Sequence, residues 1–137
     1  MEKIKVLISW SGDNYCADSA DENINGVVLA SNSTFDGVKK EFESALKFHV
    51  EGCLFDGDIL PEWLKIGDYE FEYILETSAL LHRLDGILTR SAIARVTGIN
   101  ERQLGHYASG LRKPRPDKRK QIINGIHQIS RELALVV

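Results

Sequence analysis

The chain has 137 residues, 43% of them hydrophobic and 27% charged, which is typical of a folded protein of one domain or two small ones and excludes a disordered chain. No apolar run approaches the roughly 20 residues of a membrane span, and the alternating start MEKIKVLISW is unlike a signal peptide. We therefore expect a cytoplasmic protein with no membrane attachment and with its two cysteines reduced. Its net charge is −3.

The first third of the chain carries the alternating pattern of β-strands. Ile4, Val6, Ile8 and Trp10 take every second position of the first strand, so one of its faces is buried. The stretches YCA and GVVLAS predict two further short strands, and the turn signal SGDN precedes the first of them. The polar stretch DSADENIN between them is predicted to be a loop or hairpin connection.

A helix and a fourth strand complete the front half. Apolar residues recur at helical spacing after Thr34, which can cap the helix N-terminus, and Gly52 followed by Asp56 and Gly57 predicts its end. LPEWL then predicts a loop, and YEFEYILE alternates as a strand. The economical packing of these elements is a small antiparallel sheet with the helix covering one face, so the predicted fold class is α+β.

Only helical patterns remain from Thr77 onward, which predicts a domain boundary near residue 76, with residues 1–76 and 77–137 as separate domains. Residues 1–76 contain 6 Lys and Arg against 16 Asp and Glu, a net charge of −10. Residues 77–137 contain 11 against 4, a net charge of +7. This asymmetry indicates separate partners for the two domains. The alternative is that the basic domain packs on the acidic one and neutralises it.

Residues 91–116 carry the pattern of a helix-turn-helix. The motif needs a small residue where its helices cross, a turn residue that can adopt positive φ, and apolar residues that hold the second helix in place. Ala94, Gly98 and Leu104 supply these at the required offsets. The remaining inward positions are taken by Ile93, Ile99 and Tyr107.

Capping residues delimit both helices of the motif. Thr89 or Ser91 can cap the first helix. Asn100 can cap the second while Gln103 reaches back to it, which is a capping box, and Gly110 can end that helix.

The outward face of the second helix carries side chains that can contact DNA. By position they are Asn100, Glu101, Arg102, His106 and Ser109. An arginine early on such a helix can bind guanine O6 and N7 together, and a glutamate can accept from cytosine N4 but repels a phosphate. The basic cluster that follows suits phosphate contacts and comprises Arg112, Lys113, Arg115, Lys118, Arg119 and Lys120. Because the cluster lacks interleaved aromatic residues for stacking on bases, duplex DNA is the predicted target.

Other interpretations of these features stay open. The helix-turn-helix could be a purely structural part of a protein-interaction module. The last segment, KRKQIINGIHQISRELALVV, is predicted to be a final helix packed on the motif, although its apolar tail could instead extend a dimer interface.

Metal, cofactor and catalytic sites are not predicted. His49 and Cys53 stand four residues apart, as two metal ligands could, but no further ligand follows at a recognisable spacing. The acidic loop with Asp56, Asp58 and Glu62 is predicted to be solvated. No nucleophile elbow or phosphate-binding glycine loop is present, so we expect no enzymatic activity.

The two halves together resemble the HicB antitoxin family. Residues 15–64 resemble the HicB domain, and a helix-turn-helix behind that domain is common in the family. The residues that match the family pattern are Thr34, Ala45, Gly57, Pro61 and Glu62. The helix-turn-helix itself resembles the lambda-repressor-like group.

This resemblance implies a partial ribonuclease-H-like βββαβ fold, followed by an all-α DNA-binding domain. It implies that the front domain binds and neutralises a small basic HicA toxin that cleaves mRNA. The rear domain would repress the toxin–antitoxin operon, and we expect it to bind an inverted repeat as a homodimer or larger oligomer. By position in the motif, Glu101, Arg102 and His106 would read bases and Arg90 would lie beside a phosphate.

Two alternatives to the antitoxin remain. The polar stretch SADENING stands where members of the family often have an apolar turn, so the chain could be an orphan regulator that has no toxin. The second alternative is a nuclease that acts through Asp18 or Asp56 of the front domain.

Overall fold

The computed structural model describes residues 1–19 and 21–137, which form two compact units, Met1–Glu76 and Thr77–Val137. The first unit combines a sheet with helices and the second contains helices, so the protein is α+β. Ala20, in the predicted DSADENIN connection, lies outside the described residues. Asp18 and Ser19 of that stretch extend the second strand.

The first unit is built on a four-stranded mixed sheet in the order β3-β2-β1-β4. Its strands are β1 (Glu2–Trp10), β2 (Tyr15–Ser19), β3 (Val28–Asn32) and β4 (Tyr69–Leu75). Its helices are a 3₁₀ turn at Glu22–Ile24, α1 (Phe35–Phe55) and α2 (Glu62–Lys65). β1 and β3 flank β2 in antiparallel fashion, whereas β4 lies parallel to β1 with Phe71 opposite Ile4.

Two predictions about this unit were wrong. The sheet is mixed rather than antiparallel, because β4 pairs with β1 in parallel. β3 and β4 run in the same direction, and α1 and α2 form the crossover connection between them. The predicted loop LPEWL contains the short helix α2, which begins directly after Pro61.

α1 covers one face of the sheet and supplies the core of the first unit. Thr34 caps it as predicted, because the Thr34 hydroxyl accepts a hydrogen bond from the Gly37 N–H at 3.0 Å. The fully buried residues recur every second position in β1 and at helical spacing in α1, and they include Ile4, Val6, Ile8, Val38, Phe42 and Leu46. The rings of Phe42 and Phe71 meet edge to face with their centroids 5.7 Å apart, which joins α1 to β4.

The second unit packs its helices around one apolar cluster. They are α3 (Thr77–Leu84), α4 (Arg90–Thr97), α5 (Glu101–Ser109) and α6 (Pro116–Leu133). The cluster comprises Leu81, Ile93, Ile99, Leu104, Tyr107, Ala108 and Ile122. No helix in the described ranges, 1–19 and 21–137, has both the length and the apolarity to cross a membrane.

α6 lies close to α4 at Gly125. A β-carbon at Gly125 would lie 2.5 Å from Cγ2 of Thr97, which is too close for two carbon atoms of different side chains. The Gln121 side-chain amide also donates to the Thr97 carbonyl oxygen. The missing side chain therefore lets the two helices meet, and α6 is held against the end of α4.

Candidate nucleic-acid interface

α4 and α5 are joined by a tight turn whose geometry depends on local capping. The Thr89 hydroxyl accepts from the Ala92 N–H at 3.0 Å and so begins α4. Gly98 ends α4 with φ of +78°, a conformation that residues with a β-carbon rarely adopt. The Asn100 side chain then accepts from the Gln103 N–H at 2.8 Å and begins α5. These contacts fix the direction in which α5 leaves the turn.

Only one of the two hydrogen bonds of the capping box predicted at the start of α5 is made, the one that Asn100 accepts. The Gln103 side chain does not return to Asn100, because its amide donates to the Tyr107 hydroxyl at 2.8 Å one turn along the helix. The Tyr107 ring is buried, and a buried tyrosine hydroxyl needs a hydrogen-bond partner. Gln103 therefore supports the core instead of the cap.

The residues predicted to hold α5 in place are buried. Ile93, Ile99 and Leu104 are at most 5% exposed, and Ala94 packs against the same cluster. Because these contacts fix the inward face of α5, the first turn of that helix presents its other face to solvent. The exposed residues there are Asn100, Glu101 and Arg102.

Arg102 is the predicted base-contacting residue whose side chain is most available to a ligand. It is exposed, and it makes no ion pair with any residue of the described ranges. Its neighbour Glu101 lies in the first turn, where the positive end of the helix dipole stabilises a carboxylate. Asn100 is also exposed, but its side-chain oxygen is engaged by the cap.

His106 and Ser109 are used differently from what the spacing predicts. His106 is half-buried, and its Nδ1 is buried without a hydrogen-bond partner within the described chain. The Ser109 hydroxyl donates to the His106 carbonyl at 3.2 Å and accepts from the Leu111 N–H at 3.4 Å. Ser109 thus closes the end of α5 and stays exposed there, whereas His106 is only partly accessible.

Arg90 has a partner within the protein. Its Nη2 contacts both carboxylate oxygens of Asp85, at 3.1 and 3.2 Å, and its side chain is 31% exposed. A β-carbon at Gly105 would lie 4.0 Å from Arg90 Nη1, so the guanidinium is beside the middle of α5. A phosphate at this position would have to share Arg90 with Asp85.

The basic cluster forms a loop and the first turn of α6. The Arg112 N–H donates to the His106 carbonyl at 3.2 Å, which folds the loop back onto the end of α5. The exposed cations of this cluster are Arg112, Lys113, Arg115, Lys118 and Lys120. Arg119 is the exception, because it is half-buried and its Nη1 donates to the Thr77 hydroxyl at 2.9 Å.

The His49–Cys53 pair of the first unit has the geometry of a core contact. His49 Nε2 lies 2.9 Å from the Ile24 carbonyl oxygen, which can only accept, so Nε2 carries the proton and has no free lone pair for a metal. Burial raises the pKa of the Cys53 thiol, and the nearby Asp58 carboxylate raises it further. Within residues 1–19 and 21–137, no three His, Cys, Asp or Glu side chains are grouped to hold a metal ion. Asp56, Asp58 and Glu62 are exposed, as predicted, although Glu62 lies in α2 and not in a loop.

Comparison of the chain with protein-family models, with curated proteins and with solved structures found no match.

Proposed function

We propose that residues 77–137 bind double-stranded DNA and that the protein is a transcriptional regulator. The observation that carries this proposal is that the first turn of α5 exposes Arg102, which makes no ion pair in the described residues, while the exposed cations of the basic loop follow the other end of the same helix. α4, the turn and α5 would act as a helix-turn-helix, with α5 in the major groove.

The exposed residues divide into two roles in this proposal. Arg102 would read a base edge, with Asn100 and Glu101 next to it in the same groove. Arg112, Lys113 and Arg115 would contact phosphates, which supply affinity without selecting a sequence. Arg90 would contribute less to this interface, because it is already paired with Asp85.

We further propose that the protein is an antitoxin of the HicB type, which represses its own operon. Residues 1–76 would hold a small basic HicA-like toxin, and their net charge of −10 supports a basic partner. A homodimer would place two copies of α5 on an inverted repeat. An orphan regulator that binds DNA and lacks the toxin is the alternative.

DNA binding is tested by fluorescence anisotropy with a duplex from the gene's own upstream region and a scrambled duplex of equal length. We expect Arg102→Ala to weaken binding to the upstream duplex by about tenfold and to reduce the preference for it. Arg112→Ala should weaken both duplexes equally and reduce the salt dependence by about one unit. Arg131→Ala is the matched control, because Arg131 is exposed in the last turn of α6, far along that helix from the basic loop.

The same measurements can overturn the proposal. Equal binding of both duplexes by the wild-type protein would reject sequence recognition. If neither duplex binds at low salt, the second unit is not a DNA-binding domain. If neither Arg102→Ala nor Arg112→Ala changes the affinity for either duplex, any contact with DNA is made by other residues.

A further inference from the structure

The two edges of the sheet differ in how they are protected. β4 is one outer strand, and its open face carries the exposed Glu70 and Glu72, of which Glu70 lies 3.9 Å from Lys3. Charged residues of this kind keep an edge strand from pairing with other chains. β3 is the other outer strand, and its sequence VLASN has no charged residue and no proline. The β3 edge is therefore the one that can accept another strand.

An open cleft of about 490 Å³ lies between β3 and the exposed side of α1. Val27 and Phe48 line it and are 58% and 79% exposed, so apolar surface faces solvent there. Gly52, on the same side of α1, adds no side chain that would fill the cleft. Exposed apolar surface next to an unprotected strand edge is typical of a protein-interaction site.

The cleft is preformed by contacts between α1 and the segment before β3. His49 Nε2 donates to the Ile24 carbonyl at 2.9 Å. The Asn25 amide donates to the Asp58 carboxylate at 3.2 Å, which ties that segment to the loop after α1. Gly26 has φ of +131°, and a β-carbon there would lie 3.3 Å from the His49 ring. These contacts hold the β3 edge at a fixed distance from α1.

The charge of the unit decides which occupant fits. Asp56 and Asp58 line one end of the cleft, and the whole unit has a net charge of −10. A second copy of this unit would bring the same negative charge to the contact and be repelled, whereas a basic segment would be attracted. An apolar side chain of that segment would find Phe48 and Val27.

We propose that the free edge of β3 and the cleft beside α1 bind an extended, basic segment of a partner protein, which adds a strand to the sheet. This inference rests on the proposal that residues 1–76 hold a basic protein, and it names the surface that does so. Main-chain hydrogen bonds along β3 supply affinity in this mode of binding, and the cleft selects an apolar side chain at alternate positions.

The test uses the full chain and a fluorescein-labelled peptide of alternating Lys and Val, about seven residues long, which is a typical strand length. We expect this peptide to bind at low salt and the matching Glu–Val peptide not to bind. Phe48→Ser should weaken binding about tenfold, as expected for loss of an anchoring aromatic. Phe55→Ser is the matched control, because Phe55 is 91% exposed on the same helix and does not line the cleft. Hydrogen exchange should slow at the amides of residues 28–32 when the Lys–Val peptide is bound.

The possible failures are distinguishable. If the Lys–Val peptide binds but Phe48→Ser and Phe55→Ser are equivalent, a basic partner is retained and the cleft is the wrong surface. If neither peptide binds, or both bind equally, the acidic unit does not select a basic segment. If sedimentation shows a dimer that Phe48→Ser dissociates, the occupant is a second copy and the inference is overturned. DNA binding by the same variants, measured in parallel, separates all these outcomes from a failure of residues 77–137.

Discussion

The two units differ in how their charge is arranged. In the acidic unit, carboxylates are spread over several elements, with Glu70 and Glu72 on β4 and Asp56 and Asp58 after α1. In the basic unit, exposed cations are concentrated in residues 112–120, beside the end of one helix. A dispersed charge attracts and steers an oppositely charged partner without fixing its orientation. A compact cluster beside a rigid helix can also set the register of a bound duplex.

The units also differ in what holds their elements together. The acidic unit depends on large side chains between sheet and helix, such as Phe42, which is fully buried against Phe71. The basic unit depends in part on small residues, because Gly125 allows α6 to reach Thr97 on α4. At these two positions, a large-to-small substitution should therefore damage the first unit and a small-to-large substitution the second.

The largest expected effect is that of Phe42→Ala. Truncating a fully buried phenylalanine should lower the free energy of unfolding of residues 1–76 by about 3–5 kcal/mol. Urea denaturation gives the loss, and amide hydrogen exchange locates it. Phe48→Ala is the control and should change stability little, because Phe48 is 79% exposed. If protection fell equally in residues 77–137, the two units would not be separate in stability.

An intermediate effect is expected for Gly125→Ala. The added methyl group meets Thr97, whose hydroxyl is held by the Ile93 carbonyl at 2.8 Å, so the threonine cannot turn away without losing a buried hydrogen bond. We expect the free energy of unfolding of residues 77–137 to fall by about 1–3 kcal/mol. DNA affinity should fall with it, because α4 positions α5.

Gly52→Ala is the matched control for that prediction. Gly52 is a helical glycine with open space where a β-carbon would stand, so alanine there should raise stability by about 0.5–1 kcal/mol. Opposite signs at the two glycines would confirm that close helix contact, rather than glycine itself, decides the outcome. Equal signs would contradict the packing of α6 on α4.

Local features of the fold could be predicted from the sequence because each depends on a few neighbouring residues. The cap at Thr34, the turn at Gly98 and the cap at Asn100 all form as predicted. The alternation in β1 likewise predicted that Ile4, Val6 and Ile8 are buried, although Trp10 at the end of the strand is only half-buried. Strand direction depends on how distant segments meet, and the alternating pattern of β4 is the same for parallel and antiparallel pairing.

The candidate site was less predictable because polar side chains choose among several partners. Helical spacing places His106 and Ser109 on the outward face, but it cannot show that one is half-buried and the other closes the helix. Arg90 pairs with Asp85 five residues earlier, across the connection between α3 and α4. The one available signal was Asp85 itself, one of few acidic residues in a basic unit.

The smallest expected effect is a pH dependence in the stability of residues 1–76, which comes from the Cys53 thiol. Burial, with Asp58, raises the pKa of the Cys53 thiol, so in the folded protein this thiol keeps its proton at a pH where the unfolded chain releases it. Stability from this group is therefore fully present below the thiol's ordinary pKa and is lost as pH rises through the folded-state pKa. As the pH rises above about 8.5, the ordinary pKa of a thiol, the urea midpoint of residues 1–76 should therefore fall.

Cys53→Ala should flatten that slope, although it also removes some buried volume at every pH. Cys16→Ala is the control for removing a thiol from the same unit, because Cys16 is half-exposed in β2. Tyr73, whose pKa is raised to about 12 by burial and by Glu43, adds to the decline only from about pH 10, the ordinary pKa of tyrosine. An unchanged slope in Cys53→Ala would mean that the thiol stays accessible to water, and it would contradict the buried contact of Cys53 with His49.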